Sequence, residues 1–319
     1  MTDQNTEIQL FFTGANPPKI RTDKWLAQHL PQYSRSQIQS WFHAGAVTCN
    51  GTPLKPGETL PPKADIHVHP LDVAQTAPPE AEEIPFEILW EDPHLLVINK
   101  PAGLVVHPAP GHPDGTLINA LLSPYPDLAG VGDPMRPGLV HRLDADTSGV
   151  ILFARTPAAL EHLQNQFRDR QIHKTYQTLV HGIPNTSHGT IDLPLGRHPQ
   201  DRKRRAVHGL AARPALTHWK MLAGLANGTA AHFEVQIETG RTHQIRVHLQ
   251  HLGHPVLGDT LYGGRSAQLS GSWPQAPRQM LHAFRLQFLH PATKRPLEIT
   301  APLPPDMTAY IAQLQLHRP

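Results

Sequence analysis

The chain has 319 residues, which is enough for a catalytic domain and a small additional module, so we expect two domains. A hydrophobic content of 39% and a charged content of 17% are ordinary for a globular protein and argue against intrinsic disorder. The formal net charge of +2 does not by itself identify a nucleic-acid-binding protein, so local charge clusters must decide. The single cysteine excludes an intramolecular disulfide and any cysteine-based zinc site.

The N-terminal residues are polar and acidic and lack the basic and apolar regions of a signal peptide. No apolar run approaches the roughly 20 residues needed to cross a bilayer. With only one cysteine in addition, we expect a cytoplasmic protein that does not contact a membrane. The 23 histidines suggest a metal site, but they are scattered and lack HExxH or comparable spacing, so we expect no metal.

Residues 18–71 are predicted to form a small unit of two helices followed by strands. Asp23 is in position to cap the first helix, and Ser34 is in position to cap the second. Apolar residues recur at helical spacing after Ser34, and Gly45 is predicted to end that helix. Asn50-Gly51 then predicts a tight turn between two strands.

Basic residues outnumber acidic ones in this unit, which gives it a face that could contact phosphates or simply be solvated. These residues are Lys19, Arg21, Lys24, Arg35, Lys55 and Lys63. The segments Arg21–Leu26, Ser34–Ile38 and Val47–Gly51 resemble an S4 RNA-binding domain. That resemblance implies that the unit docks RNA, and Arg35 is a predicted RNA contact.

Residues 72–85 contain proline and acidic residues without hydrophobic periodicity, which is typical of a linker. Residues 86–319 are predicted to form the second domain. Its predicted strands are 86–90, 94–99, 149–155, 173–181, 216–223, 230–238 and 281–288. Its predicted helices are 116–122, 157–170, 242–252 and 306–316. Strands outnumber helices without strict alternation, which predicts an α+β fold with a mostly antiparallel sheet.

Residues 138–152 place a carboxylate, Asp144, in a polar segment just before an apolar strand. Asp144 and Asp146 could simply accept hydrogen bonds from turn amides. A calcium loop is a second alternative, but the position that should supply a bidentate glutamate is Arg155. We therefore discount calcium and interpret Asp146 as a turn residue.

The run from His141 to Gly149 resembles the HRLDxxTSG signature of the RluA/RluD family of pseudouridine synthases. Further segments resemble family motifs in the same order along the chain. They are Val97–Pro108, Lys174–Tyr176, Glu238–His248 and Leu281–Ala283. Gly111–Thr116 and His254–Asp259 resemble the RluD branch. The resemblance implies a pseudouridine synthase fold and the isomerisation of uridine in RNA, a reaction that uses no cofactor.

The family motifs also imply roles for individual residues. Asp144 would be the nucleophile, and Arg241 would pair with it and hold it ionised. Tyr176 would stack on the extruded uracil, and Ile245 would close the base pocket as an apolar wall. Arg142 would enter the space that the flipped base leaves. Chemistry and periodicity alone also allow Arg241 to be a surface cation, and Tyr176 and Ile245 to be core residues.

The run from Arg197 to Arg205 is predicted to be a solvent-exposed loop between strands, because its neighbours are polar or small. We interpret Lys203, Arg204 and Arg205 as phosphate contacts. A loop that is merely solvated is the alternative.

Together these features predict a monomeric enzyme that converts uridines to pseudouridine in 23S ribosomal RNA or a large-subunit precursor. For the RluD branch, the expected site is the stem-loop that bridges to the small subunit. Two other classes stay open: an RNA-binding or assembly factor without turnover, and a metal-dependent hydrolase built from the histidines.

Overall fold

The structure, a computed structural model, describes residues 7–14, 20–33, 35–71, 78–109, 111–263 and 275–316, with Arg35 and Ser36 described by their backbone alone. The chain divides into two units, 1–77 and 78–319. No helix within the described ranges is long and apolar enough to cross a membrane.

The first unit packs two helices against a four-stranded antiparallel sheet in the order β1-β4-β2-β3. Its helices are α1 (Thr22–His29) and α2 (Arg35–His43). Its strands are β1 (Ile8–Phe12), β2 (Val47–Cys49), β3 (Thr52–Pro53) and β4 (Ala64–Val68). The Asn50-Gly51 turn is confirmed: both residues have positive φ, 47° and 78°, as a two-residue hairpin turn requires.

The prediction that Asp23 caps α1 is wrong. Arg21 occupies the cap position, and Asp23 lies in the first turn of the helix with its side chain buried. The Asp23 carboxylate accepts hydrogen bonds from Arg21 Nε at 3.0 Å and Gln39 Nε2 at 2.8 Å. A carboxylate in the first turn also lies next to the positive end of the helix dipole. The predicted cap at Ser34 lies outside the described residues.

The second unit is built on a nine-stranded sheet in the order β5-β6-β7-β15-β8-β14-β13-β9, with β16 paired to β15. The strands are β5 (Glu87–Glu91), β6 (Leu95–Lys100), β7 (Ser148–Ala154), β8 (His173–His181), β9 (His188–Asp192), β13 (Leu216–Leu225), β14 (Ala230–Ile237), β15 (Leu281–Leu289) and β16 (Pro296–Thr300). Among the pairs described, β7 with β15 is parallel and the others are antiparallel. The predicted α+β class with a mostly antiparallel sheet is confirmed.

The helices of this unit are α3 (Leu117–Leu122), α4 (Pro157–Arg168), α5 (Gln244–His251) and α6 (Pro305–Leu316), with short 3-10 turns at Pro126–Gly130 and Ala226–Gly228. A smaller antiparallel sheet in the order β11-β10-β12 contains β10 (Leu195–Arg197), β11 (Arg205–Val207) and β12 (Leu210–Arg213). Thr116 and Thr156 cap α3 and α4 by accepting backbone hydrogen bonds. Residues of the larger sheet form two apolar cores, one packed with α3 and α5 and the other with α4.

All seven residues of β7 are buried, and the five from Val150 to Ala154 alternate between the two cores, as expected for a strand covered on both faces. At its start, Gly149 has a φ of 109°, and a Cβ there would lie 2.2 Å from the carbonyl oxygen of Ala283. The signature glycine therefore permits the close approach of β7 to β15. The loop that carries Asp144 is consequently anchored at the centre of the sheet.

The predicted linker, 72–85, is described only from residue 78. Asn119 Nδ2 donates to the carbonyl of Glu80, and the backbone N–H of Glu82 donates to the carbonyl of Asn119. The Glu82 carboxylate accepts from the backbone of Gly115. Residues 80–82 are thus held against α3, within the second unit.

Candidate active site

Five of the sequence-predicted site residues line one cleft of the second unit, with a cavity of about 100 Å³. They are Arg142, Asp144, Tyr176, Arg241 and Ile245. They come from the loop before β7, from β8, from the segment that leads into α5 and from the first turn of α5. Residues distant in sequence are brought together because β7 and β8 flank β15 in the sheet.

Asp144 is paired with Arg246, and the prediction that Arg241 is its partner is wrong. Arg246 Nη1 donates to Asp144 Oδ2 at 2.9 Å, whereas Arg241 Nε donates to the carbonyl of Pro214 at 3.1 Å. The helix α5 begins at Gln244, so Arg246 lies in its first turn with only 7% exposure. Arg241 precedes the helix and stays at the rim of the cleft.

Arg246 bridges Asp144 to a second, completely buried carboxylate. Its Nε and Nη2 donate to Asp259 at 2.6 and 2.9 Å. Asp259 also accepts the backbone N–H groups of Leu261 and Tyr262, both at 2.9 Å. Burial alone would lower the pKa of Arg246, but the hydrogen bonds and charge of Asp259, followed by Asp144, raise it above its usual value. The guanidinium therefore stays charged and fixes the Asp144 carboxylate in the cleft.

Tyr176 and Ile245 form apolar walls of the cleft, with 8% and 4% exposure. Burial raises the pKa of the Tyr176 phenol, and the negative charge of Asp144 raises it further. The phenol is therefore protonated at neutral pH. Both residues also belong to the apolar core of the sheet, so the core and pocket interpretations of their sequence positions apply together.

The loop that carries Asp144 is held in place by Lys100, a completely buried residue that sequence reasoning did not single out. Its ammonium group donates to the carbonyls of Pro101, Leu104 and Ala145 at 2.7, 2.8 and 2.7 Å. The loop is closed by a hydrogen bond from the Thr147 backbone to the carbonyl of Asp144 at 3.1 Å. This arrangement fixes the backbone on which the Asp144 carboxylate is mounted.

His243 is a further cleft residue that sequence reasoning missed, and it precedes α5 in a left-handed conformation with φ 58°. Its Nε2 lies 3.9 Å from Asp144 Oδ1, and its Nδ1 lies 2.7 Å from the hydroxyl of Tyr262. That hydroxyl also accepts the backbone N–H of Arg205 at 2.8 Å and keeps its own proton available for His243 Nδ1. In the tautomer where Nδ1 accepts that proton, the proton of the neutral imidazole is on Nε2, which is the nitrogen nearer to Asp144.

The predicted basic loop is partly built into this site. Arg197 ends β10 and Arg205 begins β11, and of the three predicted phosphate contacts only Lys203 is exposed. The Arg204 guanidinium carbon lies 5.4 Å from the centre of the Tyr262 ring. The expectation of an entirely solvent-exposed loop is therefore wrong for Arg204 and Arg205, which are both half-buried, and the Arg205 backbone N–H donates to the Tyr262 hydroxyl. The side chain of Arg35, the predicted contact in the first unit, lies outside the described residues.

Comparison with known proteins matches residues 94–251 to the model of the RNA pseudouridylate synthase family and residues 20–66 to that of the S4 domain. Ribosomal large subunit pseudouridine synthase D of Pseudomonas aeruginosa is 43% identical over 307 residues, covering 93% of each chain. An uncharacterized RNA pseudouridine synthase of Synechocystis is 43% identical over 312 residues, covering 94% of this chain and 90% of that protein.

Among solved structures, human RNA pseudouridylate synthase domain containing 1 is 29% identical with a TM-score of 0.57, covering 72% of this chain and 89% of that chain. The fold is thus that of an RNA-modifying isomerase. The chain belongs to the RNA pseudouridine synthase family and carries an S4 domain. The family resemblance predicted from the sequence motifs is confirmed.

Proposed function

We propose that this enzyme converts specific uridines to pseudouridine in 23S ribosomal RNA, with Asp144 as the nucleophile. The observation that carries this proposal is the Asp144 carboxylate held by Arg246 in a cleft walled by Tyr176 and Ile245. Such a cleft offers one fixed negative charge beside an apolar slot suited to a flipped pyrimidine. The large-subunit substrate is supported by relatives named ribosomal large subunit pseudouridine synthase D, at 40–43% identity.

The reaction breaks the bond between ribose carbon 1′ and base nitrogen 1, and it then joins the same ribose carbon to base carbon 5. Nitrogen 1 gains a proton and carbon 5 loses one, so no oxidant, reductant or leaving group is needed. We propose that Asp144 acts as the nucleophile toward the target uridine. Arg246 would hold the Asp144 carboxylate in its orientation, and Tyr176 would stack on the released uracil. Arg142, which is exposed at the edge of the cleft, would occupy the space left in the RNA.

The proposal also includes the setting of the reaction. The S4 domain would dock RNA, with Arg35 as one contact, and Lys203, Arg204 and Arg205 would approach phosphates beside the cleft. The enzyme would act as a cytoplasmic monomer without a cofactor or metal. Its preferred target would be the large-subunit stem-loop that bridges to the small subunit, either in free RNA or in a precursor particle.

Release of tritium from carbon-5-labelled uridine in a large-subunit RNA transcript tests the chemistry. We expect release by the wild type and none by Asp144→Asn. Asp146→Asn is the matched control, because Asp146 is an exposed turn residue two positions away, and it should retain most of the activity. RNA binding without release from transcript or precursor particles would instead indicate a binding factor.

Mapping pseudouridines in total RNA from a strain without this protein tests the substrate. Loss of modification in the bridging stem-loop is the expected outcome. Loss only at sites outside large-subunit RNA would contradict the proposed target while leaving the chemistry intact.

A further inference from the structure

A second cavity of about 270 Å³ lies beside the cleft that contains Asp144. Its lining includes Arg170, Lys174, His218, Ile237 and Glu238. Ile237 also lines the Asp144 cleft, so the two cavities are neighbours that share one wall. None of the roles assigned above uses this cavity.

The position of the cavity follows from the register of the sheet. Lys174 lies two residues before Tyr176 on β8, and Ile237 of β14 is paired directly with Lys174. Residues two apart on a strand are separated by about 7 Å. A group bound beside Lys174 would therefore lie one short step along the sheet from a base stacked on Tyr176.

Positive charge dominates the surroundings of this cavity. The charges of Arg170 and Arg241 act on Lys174, and those of Arg170 and Arg213 act on Arg241. The nearby carboxylate, Glu238, lies 3.8 Å from Arg170 Nη1, and its other oxygen lies 3.1 Å from His218 Nε2. The lining therefore holds two cations, Arg170 and Lys174, against one carboxylate, and Arg241 and Arg213 add positive charge nearby, so the cavity favours anions.

The surrounding positive charge destabilises the charged form of Lys174. Burial lowers its pKa to about 8, and the charges of Arg241 and Arg170 contribute to the decrease. Its ammonium lies 5.8 Å from the ring centre of Phe167, and no acceptor hydrogen-bonds to it within the described part of the chain. A bound anion would supply the missing acceptor and offset the repulsion.

We propose that Lys174, Arg170 and Arg241 form a subsite for an RNA backbone phosphate next to the target uridine. The inference rests on the proposed function, since it places a substrate phosphate beside the reacting base. Phosphate contacts set the register of a protein on a nucleic acid without reading its sequence. The subsite would therefore position the target nucleotide over Asp144, and Arg241 would bind RNA instead of pairing with the nucleophile.

The test measures equilibrium binding of a large-subunit RNA transcript at several salt concentrations, in an Asp144→Asn background so that turnover plays no part. Lys174→Gln and Arg170→Gln should each weaken binding about tenfold at moderate salt. Each should also reduce the slope of log affinity against log salt by about 0.7–0.9, the value for one lost phosphate contact. Lys174→Arg should restore most of the affinity.

Arg168→Gln is the matched control, because Arg168 is two residues from Arg170 but exposed and paired with Asp169. It should leave affinity and slope nearly unchanged. Equal effects from Arg168→Gln and Arg170→Gln would overturn the subsite, because the charge would then act as a diffuse surface field. Unchanged affinity and slope in Lys174→Gln would also overturn it.

Tritium release with Asp144 intact separates this inference from the proposed function. Lys174→Gln should raise KM and leave kcat within about threefold, since no group that contacts the reacting atoms is altered. A loss confined to kcat would overturn the phosphate role. If the wild type released no tritium while Lys174→Gln still reduced the salt slope by about 0.7–0.9, the subsite would stand and the proposed activity would fail.

Discussion

Asp259 holds Arg246 in the protein interior. The Asp259→Asn variant therefore tests how much this buried pair contributes to protein stability, apart from its effect on the reaction. The Asp259 carboxylate has no exposed surface and accepts hydrogen bonds from Arg246 and from two backbone N–H groups. An asparagine oxygen could keep the three bonds that now end on Oδ1. Its amide N–H₂ would then face Arg246 Nε, which lies 2.6 Å from Oδ2 in the native site.

The expected loss of stability for Asp259→Asn is about 3–5 kcal/mol. One charge-assisted hydrogen bond is removed, and two buried donors face each other without an acceptor. In Asp144→Asn, by contrast, Arg246 remains fully paired with Asp259, and Asp144 is itself one-fifth exposed. That variant should lose about 1 kcal/mol or less.

Urea unfolding followed by circular dichroism, with both variants and the wild type at the same pH, measures this difference. Tritium release at a temperature where all three are folded provides the second readout. Asp144→Asn should be stable and inactive, whereas Asp259→Asn should be unstable but retain measurable activity, because Arg246 still contacts Asp144. Equal stabilities of the two variants would refute the idea that Asp259 is the principal partner of Arg246.

Three further outcomes are expected. Tyr262→Phe removes the hydroxyl that lies 2.7 Å from His243 Nδ1, so nitrogen-15 NMR should show a changed balance of the two His243 tautomers. An unchanged balance would contradict a hydrogen bond between these groups. Burial lowers the pKa of His282 from 6.5 to about 4. Below pH 6.5 the unfolded chain therefore binds a proton that the folded protein does not bind until about pH 4. The stability of the fold should decrease as pH falls through this window. His282→Asn should reduce that slope by up to about 1.4 kcal/mol per pH unit, and an unchanged slope would count against a neutral buried imidazole. Lys203→Gln should weaken RNA binding and reduce its salt slope by about 0.7–0.9 without altering kcat, since Lys203 is exposed and does not line the Asp144 cleft. An unchanged slope would remove Lys203 from the RNA interface.

Local sequence patterns predicted the larger elements well. The strand predicted at 173–181 has the observed bounds of β8, and the predicted helix at 306–316 begins one residue late. These segments succeed because apolar periodicity and flanking turn residues are local properties. The short strands β1, β9–β12 and β16 were not predicted, because strands of three to five residues, several of them exposed, are defined by the partner they pair with.

The motifs were enough to predict the family and to group Asp144, Tyr176 and Ile245 in one site. The cation that pairs with Asp144 could be identified only from the three-dimensional arrangement. Whether Arg241 or Arg246 reaches the carboxylate depends on where α5 begins and on the buried charge of Asp259, neither of which a motif specifies. A buried guanidinium is costly unless carboxylates are within hydrogen-bonding distance. Here those carboxylates come from different segments of the chain, so the pairing depends on distances that the fold sets.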